Sequence, residues 1–178
     1  MAFLSSRLAL LAVSTAVSAT VAGCQFSASA GGPDYDKLEQ AITDELNSSY
    51  TSISRQVDNV DCPRLAEAPK TGDTFVCTAG VDDNDVRVQV KVTDDDYNVD
   101  FSTMDTVFDL DGTAQALSRE ISEQQGFPVT VTCGEGLKVV EIGQSFDCVA
   151  ADDQGATRTV RLTAGAVGEN DHWELIEE

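Results

Sequence analysis

The stretch Gly72-Asp73-Thr74-Phe75-Val76-Cys77 recurs as Gly143-Gln144-Ser145-Phe146-Asp147-Cys148, and this repeated Gly-x-Ser/Thr-Phe-x-Cys motif decides the fold. In each copy the final cysteine follows an earlier one, Cys62 or Cys133, by fifteen positions. The second pair of cysteines lies 71 positions after the first. An internal repeat of this length predicts two similar structural units, each with its own pair of cysteines.

The four paired cysteines predict two disulfides. Zinc binding is the alternative, but zinc sites usually use closely spaced C-x-x-C pairs, and this chain has none. A redox-active pair of cysteines would also favour the C-x-x-C spacing. Disulfides are typical of small extracytoplasmic domains. Four cysteines allow three pairings, and the repeat favours Cys62 with Cys77 and Cys133 with Cys148, because each unit is then closed within itself.

The fifth cysteine, Cys24, follows an apolar N-terminal segment. Residues 1–23 have a short basic start ending at Arg7, an uncharged apolar run and the small residues Val21-Ala22-Gly23 before the cysteine, which predicts a lipoprotein signal peptide cleaved before Cys24. The alternatives are a transmembrane helix, for which about 20 apolar residues are needed, and Cys24 as a free thiol or a further disulfide partner. Lipidation with diacylglycerol and a palmitate-type acyl chain would anchor the protein persistently, and residues 24–34 would form a flexible tether.

The net charge of −20 limits the possible partners. Such an acidic surface repels phosphate backbones, so we expect no nucleic-acid binding. Solubility on a crowded envelope explains the acidic excess more simply than recognition of a basic partner does. The localisation we expect is the extracytoplasmic face of the cell membrane, with the lipid on Cys24 as the membrane contact.

The residue pattern predicts an α+β fold with two tandem small domains. Each domain is expected to be an N-terminal helix packed on a four-stranded antiparallel sheet with one disulfide. The first repeat spans residues 35–101, a linker spans 102–112, and the second repeat spans 113–178. In the first repeat a helix from about Asp36 to Ile53 precedes strands such as Val86 to Val92, where valines alternate with polar residues. In the second repeat, Gly126 is expected to end the helix.

With its cysteine spacing, its Gly-x-Ser/Thr-Phe-x-Cys motif and an alternating strand after an acidic turn, each repeat resembles the actinobacterial domain of unknown function 4333 family. The resemblance covers about Lys37 to Phe101 and about Ala114 to Ile176. It implies a lipoprotein or membrane-anchored protein in which a helix precedes a small cysteine-containing sheet. The family has no established catalytic residues, so the resemblance assigns none here.

The residues offer no obvious catalytic site, and we expect a protein that is not an enzyme and needs no cofactor or metal. His172 is the only histidine, and no Gly-x-Ser-x-Gly elbow accompanies it. The acidic runs 82–85 and 94–96 could attract calcium weakly, but they do not follow the EF-hand pattern and fit solvated hairpin tips. A pair of carboxylates could also act as the acid and base of a glycosidase, but the two groups must then face each other across a cleft. A small half-open sheet offers little such cleft.

The exposed sheet faces are the best candidates for binding. Outward positions carry a short series of polar and basic residues: Arg87, Gln89 and Lys91 in the first repeat, and Thr159 and Arg161 in the second. Ordinary cross-strand charge pairing is the competing explanation. We therefore expect a non-catalytic, lipid-anchored module that binds an envelope protein or cell-wall component. An inhibitor-like module, a weak hydrolase acting on an envelope partner and a structural spacer lipoprotein are the alternatives.

Overall fold

The computed structural model describes residues 33–166 and 169–176, and it has an α+β fold with two helices, antiparallel sheets and two disulfides. Helix α1 spans Tyr35–Tyr50, a short 3-10 helix spans Thr51–Ile53, and helix α2 spans Leu110–Gln125. The strands are β1 (Asn59–Asp61), β2 (Thr74–Val81), β3 (Asn84–Val92), β4 (Val99–Thr103), β5 (Asp105–Asp109), β6 (Val129–Thr132), β7 (Leu137–Glu141), β8 (Ser145–Asp152), β9 (Thr157–Thr163) and β10 (His172–Ile176). No helix in the described ranges is both long and apolar enough to cross a bilayer.

Both helices begin at an aspartate. The Asp34 side chain accepts a hydrogen bond from the Lys37 backbone at 3.3 Å, and the Asp109 side chain accepts one from the Gly112 backbone at 3.2 Å. These carboxylates satisfy amide groups that have no partner within the helix. Gly126 ends α2 in the left-handed conformation, with φ of 76°. Glycine adopts this conformation without a side-chain clash, and its position agrees with the prediction.

The first sheet has the strand order β1-β2-β3-β4, and the second has the order β10-β9-β8-β6. Corresponding strands pair in the same register. The matching pairs are Phe75–Val90 with Phe146–Leu162, Cys77–Val88 with Cys148–Val160, and Val90–Phe101 with Leu162–Trp173. The sequence repeat is thus also a repeat of strand pairing.

The disulfides join Cys62 to Cys77 and Cys133 to Cys148. This is the pairing favoured by the repeat. Because the four sulfurs are bonded to one another in pairs, they are not available as zinc ligands.

Two strands are absent from the prediction. The segment 102–112, expected as a linker, contains the end of β4, all of β5 and the start of α2, and β7 lies where no strand was expected. Strands β5 and β7 pair only with each other, and we call this two-stranded sheet the ribbon. The ribbon escaped prediction because both its faces are partly buried, so it lacks the simple alternation of apolar and polar residues that indicates a half-exposed strand.

The two faces of the ribbon contact different hydrophobic cores. Val107, Leu137 and Val139 pack against the core formed by α1 and the first sheet. Phe108 and Val140 belong to the core formed by α2 and the second sheet. Since successive residues of a strand point to opposite faces, the ribbon forms a wall shared by the two cores.

Candidate functional site

A mostly apolar groove of about 610 Å³ lies between the C-terminal end of α1, β4 and β5. We call it the junction groove. Its volume is within the range of about 300–1,000 Å³ that is typical of small-molecule sites. The side chains that define it are Leu46, Tyr50, Ile53, Phe101, Thr103 and Val107.

Tyr50 contributes a hydrogen-bond donor to this groove. It is the last residue of α1, it is 9% exposed, and its phenol hydroxyl makes no hydrogen bond within the part of the chain that the structure describes. Burial, together with the nearby negative charge of Asp105, raises the pKa of Tyr50 to about 12. The phenol therefore keeps its proton at neutral pH.

Thr103 contributes a second hydroxyl without a partner. It ends β4 and lines the groove, and its Oγ1 atom is buried with no hydrogen-bond partner among the described residues. A buried hydroxyl that lacks a partner costs about 1–3 kcal/mol of desolvation free energy. The Thr103 hydroxyl is thus buried without a partner among the described residues, whereas the Tyr50 hydroxyl is not one of the buried polar atoms that lack a partner.

Asp105 also lines the groove and is 4% exposed, the one buried charged residue in the described ranges. Its carboxylate accepts bonds from Arg87 Nε at 3.0 Å, from Arg87 Nη2 at 2.5 Å and from the Arg87 backbone at 2.8 Å. Burial alone would raise the pKa of Asp105, but the hydrogen bonds and charge of Arg87 outweigh it and lower the pKa. Asp105 is therefore a carboxylate held by its ion pair, which is a poor general acid.

Arg87 also binds Glu141 of the ribbon, at 3.1 Å from Nη2 to Oε2. Hydrogen bonds from Arg87 to Asp105 and Glu141 raise the pKa of the guanidinium above its ordinary value. Asp105 and Glu141 are directly opposite each other in the ribbon. The ion cluster thus fastens both strands of the ribbon to β3.

A second groove, of about 470 Å³, lies at the corresponding end of α2. Its lining includes Ile121, Phe127 and Leu175. The repeat aligns Ile121 with Tyr50, and the matching strand register aligns Leu175 with Thr103. The second groove therefore carries aliphatic side chains where the junction groove carries hydroxyls.

The predicted binding face is divided between two sheets. Arg87, Gln89 and Lys91 lie on β3, where Gln89 and Lys91 are exposed and Arg87 is held in the ion cluster. Thr159 and Arg161 lie on β9, and the Arg161 guanidinium binds Asp147, its direct neighbour across the strands, at 2.8 and 2.9 Å. Ion pairing thus accounts for both arginines.

The other predicted features have simple structural positions. Cys24 lies outside the described residues. His172 is exposed at the start of β10.

Asp82 and Asp83 form the turn between β2 and β3 with positive φ angles. Asp94 accepts hydrogen bonds within its own loop from Asp96 and Asn98. Within the described ranges, no group of three or more potential ligands is placed to hold a metal.

Comparison with known proteins identifies one family. Residues 19–96 match the family described as domain of unknown function (DUF4333). The match confirms the resemblance for the first repeat and does not extend to the second. No curated protein and no solved structure matches the chain.

The DUF4333 match covers only part of the junction groove. Leu46, Tyr50 and Ile53 lie inside the DUF4333 segment, whereas Phe101, Thr103 and Asp105 follow it in the chain. The groove is therefore assembled from the DUF4333 segment and the residues after it. Sequence reasoning missed the groove; the one available signal was Tyr50, which closes the otherwise aliphatic buried face of α1 at Leu38, Ile42 and Leu46.

Proposed function

We propose that the protein is a non-catalytic, lipid-anchored module of the cell envelope that binds an envelope component in the junction groove. The observation that carries this proposal is the groove itself, a mostly apolar cavity of about 610 Å³ with a few polar groups, which is the usual composition of a ligand site. Its walls come from α1, β4 and β5. The ion cluster of Arg87 fastens one of these walls, β5, to β3.

The anchor in this proposal is Cys24. The apolar segment before it and the small residues at positions 21–23 support cleavage and lipidation at this cysteine. Residues 24–34 then act as a short tether, which keeps the groove near the outer surface of the membrane. The acidic charge of the chain keeps the folded part in solution above that surface.

We further propose that the chain consists of two tandem units of one helix and one four-stranded sheet. The equal strand registers and the equal positions of the disulfides support this division. The ribbon belongs to both units, since each of its faces packs on a different core. In this arrangement the second unit supports the wall of the groove.

A binding role fits the groove better than a hydrolytic one. The carboxylate of Asp105 is held by three hydrogen bonds from Arg87, which favour its ionised form and disfavour proton donation. His172 is exposed on β10 and is not among the groove residues. No specific observation favours the inhibitor-like role or the spacer role over binding.

The test compares intact cells that express the natural chain with cells that express Cys24→Ala. We expect the natural protein in the membrane fraction and the variant outside it, and we expect chemical crosslinking to enrich an envelope component only with the anchored protein. Equal fractionation of both proteins would contradict the anchor. Identical crosslinked products from both would contradict binding at the membrane.

A further inference from the structure

The two disulfides occupy matching positions in the repeats but close loops of different structure. The loop of the first disulfide, between Cys62 and Cys77, runs through residues 63–73, which the structure describes in full and which contain no strand, and then enters β2. The loop of the second disulfide, between Cys133 and Cys148, contains the whole of β7. The second disulfide therefore encloses one of the two strands of the ribbon, and the first disulfide encloses neither.

The strand inside the second loop contributes to both hydrophobic cores. β7 pairs along its length with β5. Its residues Leu137 and Val139 pack against the core of the first sheet, and Val140 belongs to the core of the second sheet. Closing a loop limits the conformations that the enclosed chain can adopt. Opening the second disulfide therefore removes a constraint from a strand on which both cores depend.

The second disulfide also offers a reductant a better approach. Cys62, Cys77 and Cys148 are 2%, 0% and 2% exposed, whereas Cys133 is only partly buried and packs against the second core. Thiol–disulfide exchange begins when a thiolate attacks one of the two sulfurs, so its rate depends on access to that sulfur. Cys133 gives the second disulfide a side from which attack is open, and both cysteines of the first disulfide are buried.

We propose that the Cys133–Cys148 disulfide is a redox-sensitive fastening of the ribbon. A dithiol reduces it before it reduces Cys62–Cys77, and the reduction loosens the ribbon against both cores. This device goes beyond the binding function proposed above and does not depend on it. Because Val107 of β5 lines the junction groove, loosening the ribbon also changes one wall of that groove.

The exchange passes two electrons from the dithiol to the protein. A thiolate of the dithiol attacks Sγ of Cys133, and a bond forms between these sulfurs as the bond to Cys148 breaks. The Cys148 sulfur leaves with the electron pair and takes up a proton. The second thiolate of the reductant then attacks the mixed disulfide, and the Cys133 sulfur leaves and is protonated. The products are two protein thiols and the cyclic disulfide of the reductant.

The first test measures the order of reduction in the full folded chain. The protein is incubated with dithiothreitol without denaturant, free thiols are trapped with N-ethylmaleimide at timed intervals, and peptide mass spectrometry assigns the label to each cysteine. We expect Cys133 and Cys148 to be labelled at least about tenfold faster than Cys62 and Cys77. In denaturant the two disulfides should be reduced at similar rates. Equal rates in the folded protein, or faster reduction of the first disulfide, would overturn the proposal.

The second test measures which part of the fold responds to each disulfide. Native-state hydrogen exchange compares the double alanine variant of the second disulfide with that of the first, which is the matched control. The amides of Leu110 and Ile142 donate hydrogen bonds across the two ends of the ribbon, at 2.9 and 3.0 Å. The amide of Gly72, in the loop of the first disulfide, donates to Val92 at 2.8 Å. These amides report the ribbon and the first loop separately.

The two variants should give opposite patterns. Without the second disulfide, exchange should accelerate at Leu110 and Ile142 at least about tenfold more than at Gly72, and without the first disulfide this order should reverse. The amide of Met104, which donates to Arg87 of β3 at 2.9 Å, should follow the ribbon and shows whether the loosening reaches the first sheet.

A measurement on the natural chain covers the case in which a variant does not fold. The first test yields protein in which the second disulfide alone is reduced and trapped, and the same amides are read in that protein. Faster exchange that is confined to the second sheet, with Leu110, Ile142 and Met104 unchanged, would overturn the proposal, because the second disulfide would then stabilise only its own unit.

Discussion

Arg87 and Asp105 form a two-pronged ion pair between β3 and the start of β5, with the Nε to Oδ2 distance at 3.0 Å and the Nη2 to Oδ1 distance at 2.5 Å. The backbone amide of Arg87 donates to the same carboxylate at 2.8 Å. Asp105 follows β4 closely, so the pair fixes the point where the chain leaves the first sheet and enters the ribbon. It also holds the wall of the junction groove.

The first prediction concerns the stability that this pair provides. Asp105→Asn should lower the free energy of unfolding by about 1–3 kcal/mol, because the guanidinium loses its charged partner and some of its hydrogen bonds. Urea unfolding followed by circular dichroism measures the change. The matched control is Asp147→Asn, which breaks the exposed pair with Arg161 and should cost less. A larger loss in Asp147→Asn than in Asp105→Asn would contradict this ranking.

The second prediction concerns pH. Since the pKa of Asp105 is lowered in the folded chain, its carboxylate stabilises the fold above the unfolded value of about 3.9, and this stabilisation is lost as pH falls through the folded pKa. The natural protein should therefore lose stability below about pH 4, and Asp105→Asn should lose less over the same interval. Urea midpoints between pH 7 and pH 3 measure the difference. Parallel pH curves for the two proteins would exclude a contribution from Asp105.

The third prediction separates the two faces of the ribbon. Val139 packs against the first core and Val140 belongs to the second, although they are neighbours in the chain. Val139→Ala should lower amide protection mainly at Val88 and Val90, and Val140→Ala mainly at Val160 and Leu162. Each substitution removes the equivalent of two methylene groups and should cost about 1–2 kcal/mol. Native-state hydrogen exchange reads both sheets at once, and identical protection changes from the two variants would refute the two-faced arrangement.

The fourth prediction concerns the disulfides. Each closes a loop of sequence separation 15, so in the chain-entropy account each should contribute about 3 kcal/mol. The double variants Cys62→Ala with Cys77→Ala and Cys133→Ala with Cys148→Ala should therefore be destabilised by similar amounts in urea unfolding. A large loss in one variant and none in the other would show that loop closure is not the main source of the stabilisation.

The repeated cysteine spacing was enough to predict both disulfide pairs, and the helical and alternating apolar patterns were enough to predict the α+β class. The alternating valines of β3 likewise indicated a strand with one buried face, and Val86, Val88, Val90 and Val92 are buried. These features depend on local patterns and on spacing within one repeat, which a single sequence displays directly.

The ribbon and the groove could not be predicted in the same way. Val107 and Phe108 are adjacent in the chain but face different cores, so their pattern resembles neither a half-exposed strand nor a helix face. The ion pair of Arg87 with Asp105 could not be predicted, because it depends on the direction in which the chain continues from β4 into β5. Tyr50 and Thr103 line the same groove because α1 lies beside β4, and no local sequence pattern predicts that packing.

Site-specific photocrosslinking in intact cells is the measurement that tests binding in the junction groove most directly. A photoreactive residue at Ser52 probes the groove, and one at Ser48, also exposed and close by on α1, is the control. The account predicts one reproducible envelope product from position 52 that is absent from position 48 and lost in Cys24→Ala. The same products from both positions, or a product at 52 that persists without Cys24, would contradict a membrane-anchored binding function for this groove.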